Sequence, residues 1–153
     1  MANQTIPFLP LQSRPKYRLV YVKAGSTAPE AGQWLVQNTG ADAEYAVLPS
    51  NGASNAQKWV GVVAQILDAV TASVDGLYLV YDAEHCSFRG QATTSGNLAK
   101  SILNTKVTLD VTSNDQTVDE NDTTNGVLFV ENYDADKGTI DISVDPDNIV
   151  RAA

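Results

Sequence analysis

The chain has 153 residues, 43% of them hydrophobic and 18% charged, with a formal net charge of −8. That is enough for one domain with a sizeable core, the composition is not that of a disordered chain, and no apolar run approaches the roughly 20 residues of a membrane-spanning helix. The acidic balance argues against direct nucleic-acid binding, and the single cysteine, Cys86, excludes an internal disulfide and fits a reducing compartment.

The opening residues MANQT carry no basic stretch followed by an apolar run, so no signal peptide is expected. Residues 1–16 read as an extended arm, because Pro7, Pro10 and Pro15 interrupt helix and central strand alike. The arm is nonetheless apolar at Ile6, Phe8, Leu9 and Leu11, so it packs on something. Either it folds back over its own sheet or it crosses to a neighbouring surface. A basic cluster follows at Arg14, Lys16 and Arg18.

Residues 17–153 read as one β domain. YRLVYVK at 17–23 is rich in β-branched and aromatic residues and predicts a strand. Shorter strands are expected at 34–37 and 43–48, separated by glycine- and proline-bearing turns. Residues 58–72 fit a helical stripe as well as a buried strand. The valine density around Gly61 favours a strand over 58–67. Strands follow at 77–81 and 84–89. Residues 91–104 allow one or two helical turns, capped at Ser95 or Asn97.

From Lys106 to Asp145 the chain spells a β-meander. Val107, Leu109 and Val111 alternate with polar residues, and so do Ile140, Ile142 and Val144. Val127 to Val130 is a denser apolar run, suited to a strand covered on both faces. Gly138 supplies the hairpin between the last two strands, and Pro146 ends the last. The expected fold is all-β: a single sandwich or barrel-like domain of about nine short strands, with at most one short helix. Charge is polarised along it: residues 1–40 sum to +3, 41–105 to −3 and 106–153 to −8. A subunit that docks neighbours can use that asymmetry, and so can a merely soluble surface.

No catalytic constellation stands out. His85 and Cys86 are adjacent, and neighbours on a strand point to opposite faces. One histidine and one cysteine do not supply the ligands of a structural zinc site. Asp119, Asn121, Asp122 and Thr124 have the early spacing of a calcium loop, but Thr124 and Val130 stand where its glycine and glutamate belong. These acids, and Asp134 with Asp136, read as solvated turns. No metal, cofactor or enzymatic activity is expected. Trp34, Trp59 and the tyrosines suit a β core or, alternatively, the face of a carbohydrate-binding module.

Three stretches together carry a resemblance: IPFLPLQSRPKY at 6–17, WVGVVAQILDAVTASVDGLYLV at 59–80, and VDENDTTNGVLFVENYDADKGTIDISV at 118–144. In these the chain resembles the head decoration (cement) proteins of tailed bacteriophages. The resemblance implies a structural virion protein, made in the host cytoplasm, that sits on the outer capsid surface. It implies the major capsid protein as partner, a homotrimer, and no membrane. It also implies attachment through the arm and the basic cluster: Ile6, Phe8, Leu9, Leu11, Arg14, Lys16 and Arg18. A phage tail, neck or fibre component is the neighbouring alternative.

Overall fold

The computed structural model describes residues 4–52 and 57–150. It is all-β, with eleven strands and four single 3-10 turns among the described residues and no α-helix. The strands are β1 (Leu9–Pro10), β2 (Tyr17–Val22), β3 (Trp34–Gln37), β4 (Ala46–Val47), β5 (Trp59–Asp68), β6 (Gly76–Asp82), β7 (Phe88–Gln91), β8 (Lys106–Thr112), β9 (Asp115–Asp119), β10 (Leu128–Asp134) and β11 (Thr139–Val144).

They form two bodies. Strands β2, β4, β3, β5 and β6, in that order, close into a barrel. The other six form a sheet in the order β1-β7-β11-β10-β8-β9. That sheet curls until Val118 on its last strand bridges Ala92, just beyond β7.

Barrel strands that touch both bodies are apolar on both faces, as strands covered on both sides must be. Leu35, Val63, Tyr78 and Val80 fill the barrel. Trp34, Val36, Trp59 and Val62 point outward instead, into the curled sheet, and meet Phe88, Leu109, Leu128, Ile140 and Ile142. At their centre Trp34 packs edge-on against Trp59 and Phe88, with ring centroids 5.3 and 4.7 Å apart. Fully buried aromatics of this size each contribute roughly 4–6 kcal/mol of transfer free energy before entropy is counted.

Strand β5 needs Gly61. The residue lies so close to the next strand that a Cβ would overlap the Tyr81 carbonyl oxygen. The internal glycine that favoured a strand over 58–67 therefore marks a close backbone approach between two strands.

Several expectations shift. Eleven strands replace about nine. Residues 115–119 form β9, where the acidic sequence suggested a turn. The strand expected at 43–48 shrinks to Ala46–Val47, and that at 84–89 becomes a turn leading into Phe88–Gln91. The helical turns in 91–104 are two 3-10 turns, Ser95–Asn97 and Lys100–Ile102, and neither has a side-chain cap. The hairpin at Asp134 to Gly138 forms as expected, with Gly138 at φ +69°.

The described part of the arm, residues 4–16, lies along the body. Leu9 and Pro10 pair with Arg89 and Phe88, which makes β1 the edge of the sheet, where a proline is tolerated. Phe8 is fully buried, and its N–H donates to the Gly32 carbonyl at 2.9 Å.

Candidate interaction surface

The barrel has an apolar face that the described residues leave exposed. Strand β2 is apolar at every position except Arg18, yet a closed barrel takes in only one of its faces. Val20 and Val22 go inward. Tyr17, Leu19 and Tyr21 point out and are 51%, 60% and 54% exposed.

The neighbouring strand extends the face. In the antiparallel β2–β6 ladder Tyr17 stands opposite Tyr81, Leu19 opposite Leu79, and Tyr21 opposite Leu77. These partners are half-buried. The Tyr17 and Tyr81 rings lie 5.3 Å apart, tilted at 36°. Desolvation within this cluster raises the Tyr81 phenol pKa. Ile66 and Leu67 near the end of β5, and Val74 in the following loop, are exposed as well. An exposed apolar row of this kind marks a contact surface on a soluble protein.

The arm supplies a second apolar strip. Ile6, Leu9 and Leu11 are each at least two-fifths exposed. Arg14 and Lys16 are exposed between the arm and β2. Arg18 is half-buried and donates to the Val150 carbonyl at 2.5 Å. Phe8 belongs to the core of this chain, so a partner reaches it only if the arm leaves its place.

Other candidate groups are spread apart and engaged locally. Asp119 accepts from the Asn121 N–H, Asp122 from the Thr124 N–H and the Thr108 hydroxyl, and Asp134 from the N–H groups of Asp136 and Lys137. The donors at Asp122 hold its carboxyl below its ordinary pKa. His85 and Cys86 lie in the turn after β6, not on a strand. Burial pushes the Cys86 thiol pKa up, which disfavours the thiolate a nucleophile needs. Trp34 and Trp59 are fully buried, so neither can form a sugar-stacking platform. No helix among the described residues is long and apolar enough to cross a membrane.

No family model, curated protein or solved structure matches the chain.

Sequence reasoning singled out the arm and the basic cluster and passed over the β2–β6 face. The signal was present in YRLVYV, where both alternating sets are apolar apart from Arg18. A reader who knew the strand belonged to a closed barrel would have asked what covers the outer set.

Proposed function

We propose that this chain is a structural accessory subunit of a tailed-phage head, one that docks on the outer shell and bridges neighbouring copies of the major capsid protein. The observation that carries the reading is the exposed apolar row of Tyr17, Leu19 and Tyr21, flanked by the half-buried Leu77, Leu79 and Tyr81. An exposed apolar row of this kind suits a partner surface. The exposed Ile6, Leu9 and Leu11, with Arg14 and Lys16 beside them, add a second contact strip and a basic rim suited to acidic capsid loops. Choosing a capsid as the partner rests on the sequence resemblance. So does the trimeric assembly that goes with it.

A subunit that binds only the assembled shell stabilises it by mass action, and many copies add through avidity. The test is co-sedimentation of the purified chain with expanded head shells of the encoding phage. Leu19→Asp is expected to abolish binding and leave the melting temperature within about 2 °C of wild type, as exposed substitutions do. Leu9→Asp and Leu11→Asp test the arm without removing Phe8 from the core. Undiminished binding by all three variants would refute docking through these surfaces.

A further inference from the structure

The turn that follows β6 reads Asp82-Ala83-Glu84-His85. Asp82 ends the strand with its side chain turned into the protein, only 5% exposed. A carboxylate removed from water needs a cation or several donors. Among the described residues two other acids are buried: Asp141 takes a bidentate pair from Arg89, and Glu120 accepts the Thr94 N–H while burial raises its pKa. The contacts of the Asp82 carboxylate include no lysine or arginine among the described residues. Its Oδ1 accepts the Glu84 N–H at 3.0 Å, and its Oδ2 lies 3.3 Å from His85 Nδ1.

That second distance is long for a charge-assisted hydrogen bond, which runs at about 2.7–2.9 Å. It equals the spacing of roughly 3.3 Å between two ligand atoms on a tetrahedral ion with bonds near 2.0 Å. Glu84 brings a third donor: one ligand atom each from Asp82, Glu84 and His85 lie within 4.8 Å of one another. The backbone around them is held. The Asp82 N–H donates to the Lys16 carbonyl at 2.9 Å, Ala83 to Val60 at 3.1 Å, and His85 to Asp82 at 3.2 Å. On the side of Glu84 and His85 the turn walls an open cleft of about 620 Å³, shared with Gln12, Ser143 and Pro146, where water can reach these two side chains.

We propose that Asp82, Glu84 and His85 bind a divalent transition-metal ion, zinc fitting best. An imidazole selects zinc over magnesium or calcium, and two carboxylates neutralise the ion and spread its charge. The Cys86 sulfur faces the Lys16 carbonyl at 3.9 Å and is not one of the ligands. The same turn anchors the segment between β1 and β2, through Leu11 N–H to the Ser87 carbonyl and Ser87 N–H to Gln12 Oε1. An ion here therefore stiffens the root of the arm.

The experiment titrates the full chain with zinc chloride in a calorimeter, with magnesium chloride as control, and follows melting with and without zinc. The expected result is one zinc per chain, a melting temperature that climbs with zinc concentration, and no response to magnesium. His85→Ala is expected to lower zinc affinity at least about tenfold, and Cys86→Ser to leave it unchanged. His85 is half-exposed, and a melt of its variant without zinc verifies the fold. Absence of any heat or melting shift at about 1 mM zinc, or equal affinity in His85→Ala, overturns the proposal. Loss of binding in Cys86→Ser overturns this ligand set.

Discussion

The ring of Phe8 lies against the bare Cα of Gly90, so near that a Cβ built there would stand 2.8 Å from the ring's Cζ and closer still to Cε1. Pro7 uses the space above Gly32 in the same way, where a Cβ would stand 2.6 Å from its Cα. Two glycines far apart in sequence thus form the seat of the chain's proline-rich start. Gly90→Ala is expected to destabilise by about 2–3 kcal/mol, because the ring must move or leave. Denaturant midpoints measure it. In a Phe8→Ala background, itself costing about 3–5 kcal/mol, the same substitution should cost little. A full additive penalty would mean the two residues do not meet.

Gly61→Ala should be worse, since the obstacle is backbone and not a movable ring. The Tyr81 carbonyl oxygen occupies the position, and strands β5 and β6 would have to part. Loss of about 3 kcal/mol or more, or failure to fold, is expected. Gly96→Ala, where a Cβ meets nothing within 4 Å, is the control and should stay within about 0.5 kcal/mol of wild type.

Glu120 gives stability one pH dependence. One carboxylate oxygen accepts the Thr94 N–H at 2.8 Å, while the other is buried without a partner. Burial raises its pKa above the ordinary value of 4.5. The folded state then holds this proton more tightly than the unfolded state, so stability falls as pH rises from 4.5 through the folded value. Glu120→Gln should match wild type below that window and exceed it at neutral pH by about 1 kcal/mol, or 2–4 °C in melting temperature. Parallel melts at pH 4 and pH 7.5, about half a unit below and three above the ordinary value, test it. An equal offset at both would refute the role given to this carboxyl.

Asp145 has the opposite sign. Its carboxylate accepts from Lys106 Nζ at 2.5 Å and from the Asp147 N–H at 3.1 Å, capping the 3-10 turn Pro146–Asn148. The lysine hydrogen bond, then that backbone bond, lower its pKa below 3.8. Its contribution is therefore complete above 3.8 and lost as pH falls through the lower folded value. Asp145→Ala should cost about 1 kcal/mol at neutral pH, a deficit that shrinks in acid. A deficit constant down to about pH 2 would assign the cost to packing.

The β class, the central strands and the hairpin at Asp134 to Gly138 were legible because apolar alternation and turn residues encode them directly. Strand β9 was not. Its sequence, DQTVD, presents one aliphatic side chain, and its other inward residue is Gln116. That glutamine is buried because its amide completes the backbone of a distant strand: Oε1 accepts the Trp34 N–H at 2.6 Å, and Nε2 donates to the Trp34 carbonyl at 3.2 Å. A side chain that imitates a strand partner has no hydrophobic signature. The exposed β2–β6 face escaped for a related reason. An apolar strand looks the same in sequence whether its second face meets a core, a partner or water, and only barrel closure tells which set stays outside.

Strand β2 is held unequally along its two sides. Toward β6 it has six paired residues, Tyr17 to Val22; toward β4 it has the single parallel pair Val22 with Ala46. The ring of the barrel therefore has a seam. Amide protons along that seam should exchange with solvent earlier than those between β5 and β6, where a long ladder must open together. A face mounted beside such a seam can adjust its tilt while the sheet behind it keeps its shape, which would suit the docking proposed for it.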